Sequence, residues 1–187
     1  MRGLVGRENE KLAPHWWGYA RLVTATSWPT DWQQLAALSP DSIEQYAALH
    51  QAIDDSVDPV IVELCRLRIA HLVGAVELLL LRRPRAAAAG LTETKIEALA
   101  SWPQSPLFSG AERACIELAE QFCMGAYTVT EANVSAVLEH LSADECYAFV
   151  NGVWVMEAVA RMIVVMSVKP DAQALGLVPT SELLESR

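Results

Sequence analysis

A chain of 187 residues, 52% hydrophobic and 20% charged, is too apolar for disorder and suits one domain with a sizeable core. Its formal net charge of −9, with no dense cluster of Lys and Arg, excludes nucleic acid as an expected partner. A mean hydropathy of +0.21 is high for a soluble monomer and points to apolar surface buried between subunits.

The N-terminal segment, residues 1–38, differs in texture from the rest. It carries His15, Trp16, Trp17, Tyr19, Trp28 and Trp32, an aromatic-rich arm that closes a pocket, packs on a neighbouring subunit or covers the main core. Its first residues have no apolar run of signal-peptide length, so export is not expected. Thr30 is placed to cap a short helix to about Leu38. Ser39-Pro40 opens a helix to about Asp55, and Asp58-Pro59 opens a long apolar stretch to about Arg83. Pro84 stops that stretch, and Gly90 ends an Ala-rich turn. Arg82, Arg83 and Arg85 form the densest basic run; they could grip an anion but read most simply as a solvated helix end.

Thr92 starts a short helix ending near Trp102-Pro103, Ser109 caps one to about Met124, and Thr130 caps one to His140. Ser142-Ala-Asp-Glu145 is a capping box that opens the last long helix, closed by Lys169-Pro170. The run from Cys146 to Val168 has the length of a membrane span. Glu157 and Arg161 near its middle are spaced i, i+4 for an ion pair, so burial in a core or an oligomer is the better reading. Residues 171–187 form a loose or docked tail. No strand is predicted, because half-buried alternation is missing. The expected fold is all-α: an arm (1–38), a helical domain (39–170) and a tail (171–187).

Four cysteines occur, Cys65, Cys115, Cys123 and Cys146, and no two form CxxC. Cys115 and Cys123 lie roughly 12 Å apart along one predicted helix, too far for a disulfide. Free thiols in a reducing cytoplasm are expected. No pair of His or carboxylate residues forms a metal-binding motif.

The stretch Glu63-Leu-Cys-Arg-Leu-Arg-Ile-Ala-His-Leu-Val-Gly-Ala-Val-Glu-Leu78, then Leu-Leu-Leu-Arg82, resembles the core motif of AhpD-like proteins of the carboxymuconolactone decarboxylase superfamily. The resemblance continues through Arg85-Ala-Ala-Ala-Ala-Gly90, Thr92-Glu-Thr-Lys-Ile-Glu-Ala-Leu, Trp102-Pro-Gln-Ser-Pro-Leu-Phe-Ser109 and Glu112-Arg113-Ala114, and covers roughly Ser39 to Pro170. It implies an AhpD-like helical bundle, commonly oligomeric. It places Glu63 at the family's proton-relay carboxylate. Ala75 and Leu78 stand at the two cysteine positions, and Arg82 at the histidine. In such proteins a thiolate attacks peroxide and a second thiol resolves the sulfenic acid. Ala75 and Leu78 have no redox atom, so dithiol peroxidase chemistry is not expected. Lactone decarboxylation, the superfamily's other namesake activity, has weak support.

Glu63, in an apolar helix, is a candidate general acid or base; the plain alternative is an ion pair with Arg66. His71 lies two turns on, roughly 80° round the helix, and is the second catalytic candidate; the alternative is a core or interface histidine. Ala75, Glu77, Leu78 and Arg82 are candidate pocket residues, with Glu77 free to pair with Arg66. His15, Trp16 and Trp17 are candidates to lid the pocket. The resulting expectation is a cofactor-free, metal-free, cytoplasmic homo-oligomer with no membrane or nucleic-acid partner. It binds a small hydrophobic or aromatic molecule and transforms it, if at all, by acid/base chemistry at Glu63 and His71. The alternative is a structural or regulatory oligomer whose old site is filled by side chains.

Overall fold

The computed structural model describes residues 29–185 and is all-α, apart from one two-residue strand pair. Asp31, not Thr30, caps α1 (Trp32–Leu38), accepting from the Gln34 amide. Proline at the first helical position opens both α2 (Pro40–Ser56) and α3 (Pro59–Val73), where its missing N–H costs nothing. The apolar stretch is not one helix to Arg83. It stops at Gly74, whose φ of 81° is left-handed backbone that a Cβ disfavours, and whose amide bonds back to the Ala70 and His71 carbonyls. A 3-10 turn (Val76–Leu80) and the strand β1 (Leu81–Arg82) follow.

Short helices α4 (Pro84–Ala88) and α5 (Glu93–Glu97) lead to α6 (Gly110–Met124), α7 (Glu131–Leu138) and α8 (Ala143–Met166). The Ser109 and Ser142 capping boxes are both formed, with Glu112 and Glu145 bonding back to the cap amides. The core is built where α3 packs between α6 and α8, with α2 laid on α8. Leu64, Ile69, Ile116, Leu118, Phe149 and Val153 are fully buried there. Gly152 lets α2 approach α8 closely: a Cβ at that position would meet the Ile53 side chain at 3.0 Å.

By length and composition α8 could cross a membrane, but nine of its residues are buried against the bundle. Its Glu157–Arg161 pair forms at 2.7 Å, and Arg161 also donates to the Cys123 carbonyl. The tail is docked. Strand β2 (Val178–Pro179) pairs antiparallel with β1, Leu177 is buried, and Thr180 at the start of α9 (Thr180–Glu185) donates to the Leu80 carbonyl. The expectation of no strand misses this pair, because two residues are too few to show alternation.

Candidate functional site

Glu63 is fully buried in the first half of α3, and its carboxylate is already taken. Arg66, one turn on, holds it with two hydrogen bonds, Nε to Oε2 at 2.7 Å and Nη2 to Oε1 at 2.8 Å. The Arg83 amide adds a third at 3.2 Å. Arg66 then donates onward to the carbonyls of Leu78 (3.0 Å) and Leu81 (2.7 Å). Beyond Gly74 the chain has left the α-helix, so these buried carbonyls need donors from elsewhere, and one guanidinium serves both. The pair therefore clamps the segment 75–83 onto α3.

The arginine run is not a solvated helix end. Arg82 and Arg83 are buried; only Arg85 is exposed, paired with Asp55. Arg82 forks onto Glu93 (3.0 and 2.9 Å) and caps the Leu79 carbonyl at 2.7 Å. Arg83 Nη1 donates to both Asp54 oxygens (2.6 and 2.7 Å), while its Nη2 meets His50 Nδ1 at 3.2 Å. A guanidinium only donates, so Nδ1 accepts and the neutral imidazole carries its proton on Nε2. Burial, with the charges of Arg83 and Arg66, holds His50 down from 6.5 to about 4.

The proposed catalytic pair is not brought together. His71 is exposed at the last turn of α3 and lines a cavity of about 160 Å³ with Leu67, Leu79 and Ile96. Glu63 borders a different and much smaller space, about 10 Å³, with Arg82, Glu93 and Leu91. Ala75 and Leu78 are buried at 2% and 4% exposure. The void beside Leu78 is only about 20 Å³, roughly the room of one water. Glu77 is exposed and borders an open groove with Val76 and Val164; it does not pair with Arg66, which Glu63 already occupies. His15, Trp16 and Trp17 lie outside the described residues.

A cavity of about 230 Å³ lies where α1, α2 and α8 meet the tail. Trp32, Tyr46, His50, Asp54, Arg83 and Val159 are among its walls. It shares His50 and Arg83 with the small void against Leu78. Sequence reasoning missed His50 and Asp54. Their i, i+4 spacing on α2 was the available signal, but nothing local linked them to Arg83 some thirty residues away.

With this geometry in view, one solved structure is informative. A protein of unknown function from Agrobacterium tumefaciens, provisionally assigned by its describers to AhpD antioxidant defence, superposes with a TM-score of 0.62 over 71% of this chain and 92% of that one, at 20% identity. The fold is AhpD-like. At that identity the likeness speaks for architecture and not for chemistry. No protein-family model and no curated protein matches the chain.

The thiols of this AhpD-like chain are chemically quiet. Burial pushes Cys115 up to about 12, with Cys146 and Glu112 adding to the effect. Cys123 is pushed up to about 11, by burial first and then Glu157. Burial also raises Cys65, strongly, and Cys146. Such groups stay protonated at neutral pH, whereas peroxide attack needs a thiolate.

Proposed function

We propose that this AhpD-like protein performs no dithiol peroxide chemistry and binds a small, mainly apolar molecule in the cavity between α1, α2, α8 and the tail. The observation that carries this reading is a displacement of open space. Leu78, where the resemblance puts the second thiol, is packed against a void of only about 20 Å³, and a cavity of about 230 Å³ shares His50 and Arg83 with that void; Ala75, at the first thiol position, is 2% exposed at the edge of a separate open groove. Small-molecule sites are concave and pair apolar walls with placed polar groups; here Trp32, Ile43 and Val159 stand beside His50, Gln51, Asp54 and Arg83. Glu63 and His71 do not serve it as an acid/base pair, because Glu63 is locked by Arg66 and His71 faces another cavity.

The test is native mass spectrometry of the purified protein and of Ala47→Trp, which narrows the cavity. The expected result is a non-covalent mass retained by the wild type, shed on denaturation and reduced in the variant. Thiol-dependent consumption of hydroperoxide that Cys→Ser changes abolish would overturn the reading.

A second reading, assembly as a homo-oligomer, is supported by α8. Tyr147, Trp154 and Val165 lie exposed along one stripe, at 75%, 52% and 78%. The same spectra report subunit number; a monomer carrying no ligand removes both readings.

A further inference from the structure

We propose that the exposed face of α8 is a self-docking surface, on which α8 of a second copy of this chain lies antiparallel about a two-fold axis level with Met156. This rests on the oligomer reading above and specifies its surface, partner and register.

The face repeats as a helix–helix seam does. Tyr147, Asn151, Trp154, Ala158, Arg161 and Val165 follow one another at alternating steps of four and three residues. That is the period with which two helices keep one line of side chains in contact. At about 100° per residue, all of them fall within about 40° of one line along the helix. Phe149, Met156 and Ile163, which α8 buries in the bundle, point the opposite way. No member of the line is itself buried. Tyr147, Trp154 and Val165 are well exposed, the Arg161 side chain is half exposed, and Asn151 and Ala158 are half-buried.

Complementarity of the line with itself names the occupant. A parallel copy would set Arg161 against Arg161 and Trp154 against Trp154, like charge on like charge and bulk on bulk. An antiparallel copy centred at Met156 opposes Tyr147 with Val165, Asn151 with Arg161 and Trp154 with Ala158. Aromatic then meets aliphatic, amide meets guanidinium and large meets small, and the two-fold axis makes each pairing twice. The polar pairing has hydrogen-bonding capacity to spare on both sides. Asn151 donates to the Tyr147 carbonyl, while its Oδ1 accepts from no group among the described residues. Arg161 spends Nε and Nη2 on Glu157 and the Cys123 carbonyl, which leaves Nη1 to donate. Glu157 already balances the Arg161 charge, so the seam takes in no unpaired ion. One polar pairing among apolar ones also fixes the register.

Sedimentation of the full chain reads the assembly, and engineered cysteines read the register. Tyr147→Cys and Val165→Cys are made singly and together, with Cys123→Ser removing the most accessible native thiol. Positions 147 and 165 lie roughly 27 Å apart along one helix, too far to bridge within a chain. The wild type is expected to sediment as a dimer or a higher assembly built from that dimer. Mild oxidation should link the double variant into a covalent dimer and leave each single variant unlinked. Trp154→Glu should weaken the dimer at least tenfold while the helical circular dichroism stays that of the wild type. Linking of either single variant, a double variant that assembles without linking, or an assembly that Trp154→Glu leaves intact overturns this inference and leaves the oligomer reading standing. A wild-type monomer overturns both.

Discussion

Arg66→Met is the most discriminating perturbation of the buried network. The substitution removes both guanidinium hydrogen bonds of Arg66 from the fully buried Glu63, leaving it the Arg83 amide at 3.2 Å and the Arg83 guanidinium at 3.8 Å, and removes one donor from each of the Leu78 and Leu81 carbonyls. Removing one member of a buried ion pair costs about 3–5 kcal/mol, which at a urea dependence of about 2 kcal/mol per molar lowers the unfolding midpoint by about 1.5–2.5 M. Glu63→Leu should cost a similar amount, because it strands Arg66. The double variant should lose well under the sum of the two, since an apolar pair replaces an ionic one and the Leu78 and Leu81 carbonyls keep donors from the Leu81 amide and the Arg82 guanidinium. Urea unfolding followed by circular dichroism closes this cycle. If Arg66→Met unfolds within about 1 kcal/mol of the wild type, the clamp is not what holds Glu63, and the carboxylate is free for chemistry after all.

The remaining expectations concern titration, thiols and the tail. The His50 value falls on folding, so the unfolded chain binds more protons between pH 6.5 and about 4, and stability rises with pH across that window. The difference amounts to at most about 3 kcal/mol, complete only below the lower limit; His50→Asn should flatten the slope of unfolding midpoint against pH between 6.5 and 4.5, and an unchanged slope would assign it elsewhere. With the thiols of Cys65, Cys115 and Cys123 raised by burial, the native protein should react slowly with a disulfide reagent at neutral pH and fully once unfolded. Rapid labelling of a single native cysteine would reveal an activated thiol. Leu177→Ala removes the buried anchor of the tail and should cost about 2–4 kcal/mol. Limited proteolysis should then cut first near Asp171, whereas cleavage elsewhere would mean that the β1–β2 pairing alone holds the tail.

Much of the architecture was legible because its signals are local. Ser109 and Ser142 with their acidic partners three residues on, and Pro40 and Pro59 at first-turn positions, mark helix starts through geometry that a single turn decides. The i, i+4 spacing of Glu157 and Arg161, and the i, i+3 spacing of Glu63 and Arg66, likewise set pairs that one helix brings into contact. The absence of any CxxC is a plain property of the sequence.

What only the tertiary structure decided is where distant segments meet. The arginine run looked solvated because its carboxylates lie elsewhere in the chain: Asp54 on α2, Glu63 on α3 and Glu93 on α5. Glu63 and His71 looked like neighbours because rotation along one helix was the only distance the sequence supplied. Which cavity each borders depends on the segments packed over them: Pro84–Glu97 and the end of the tail over Glu63, the Leu79–Ala100 stretch over His71. His50 offered only its i, i+4 spacing to Asp54, since its neutral state comes from burial under α8 and the tail and from two arginines folded against it. Spacing within a helix is written in the order of residues, but burial and charge compensation belong to the packed whole, and they turned a motif's active-site positions into a structural clamp with an open cavity beside it.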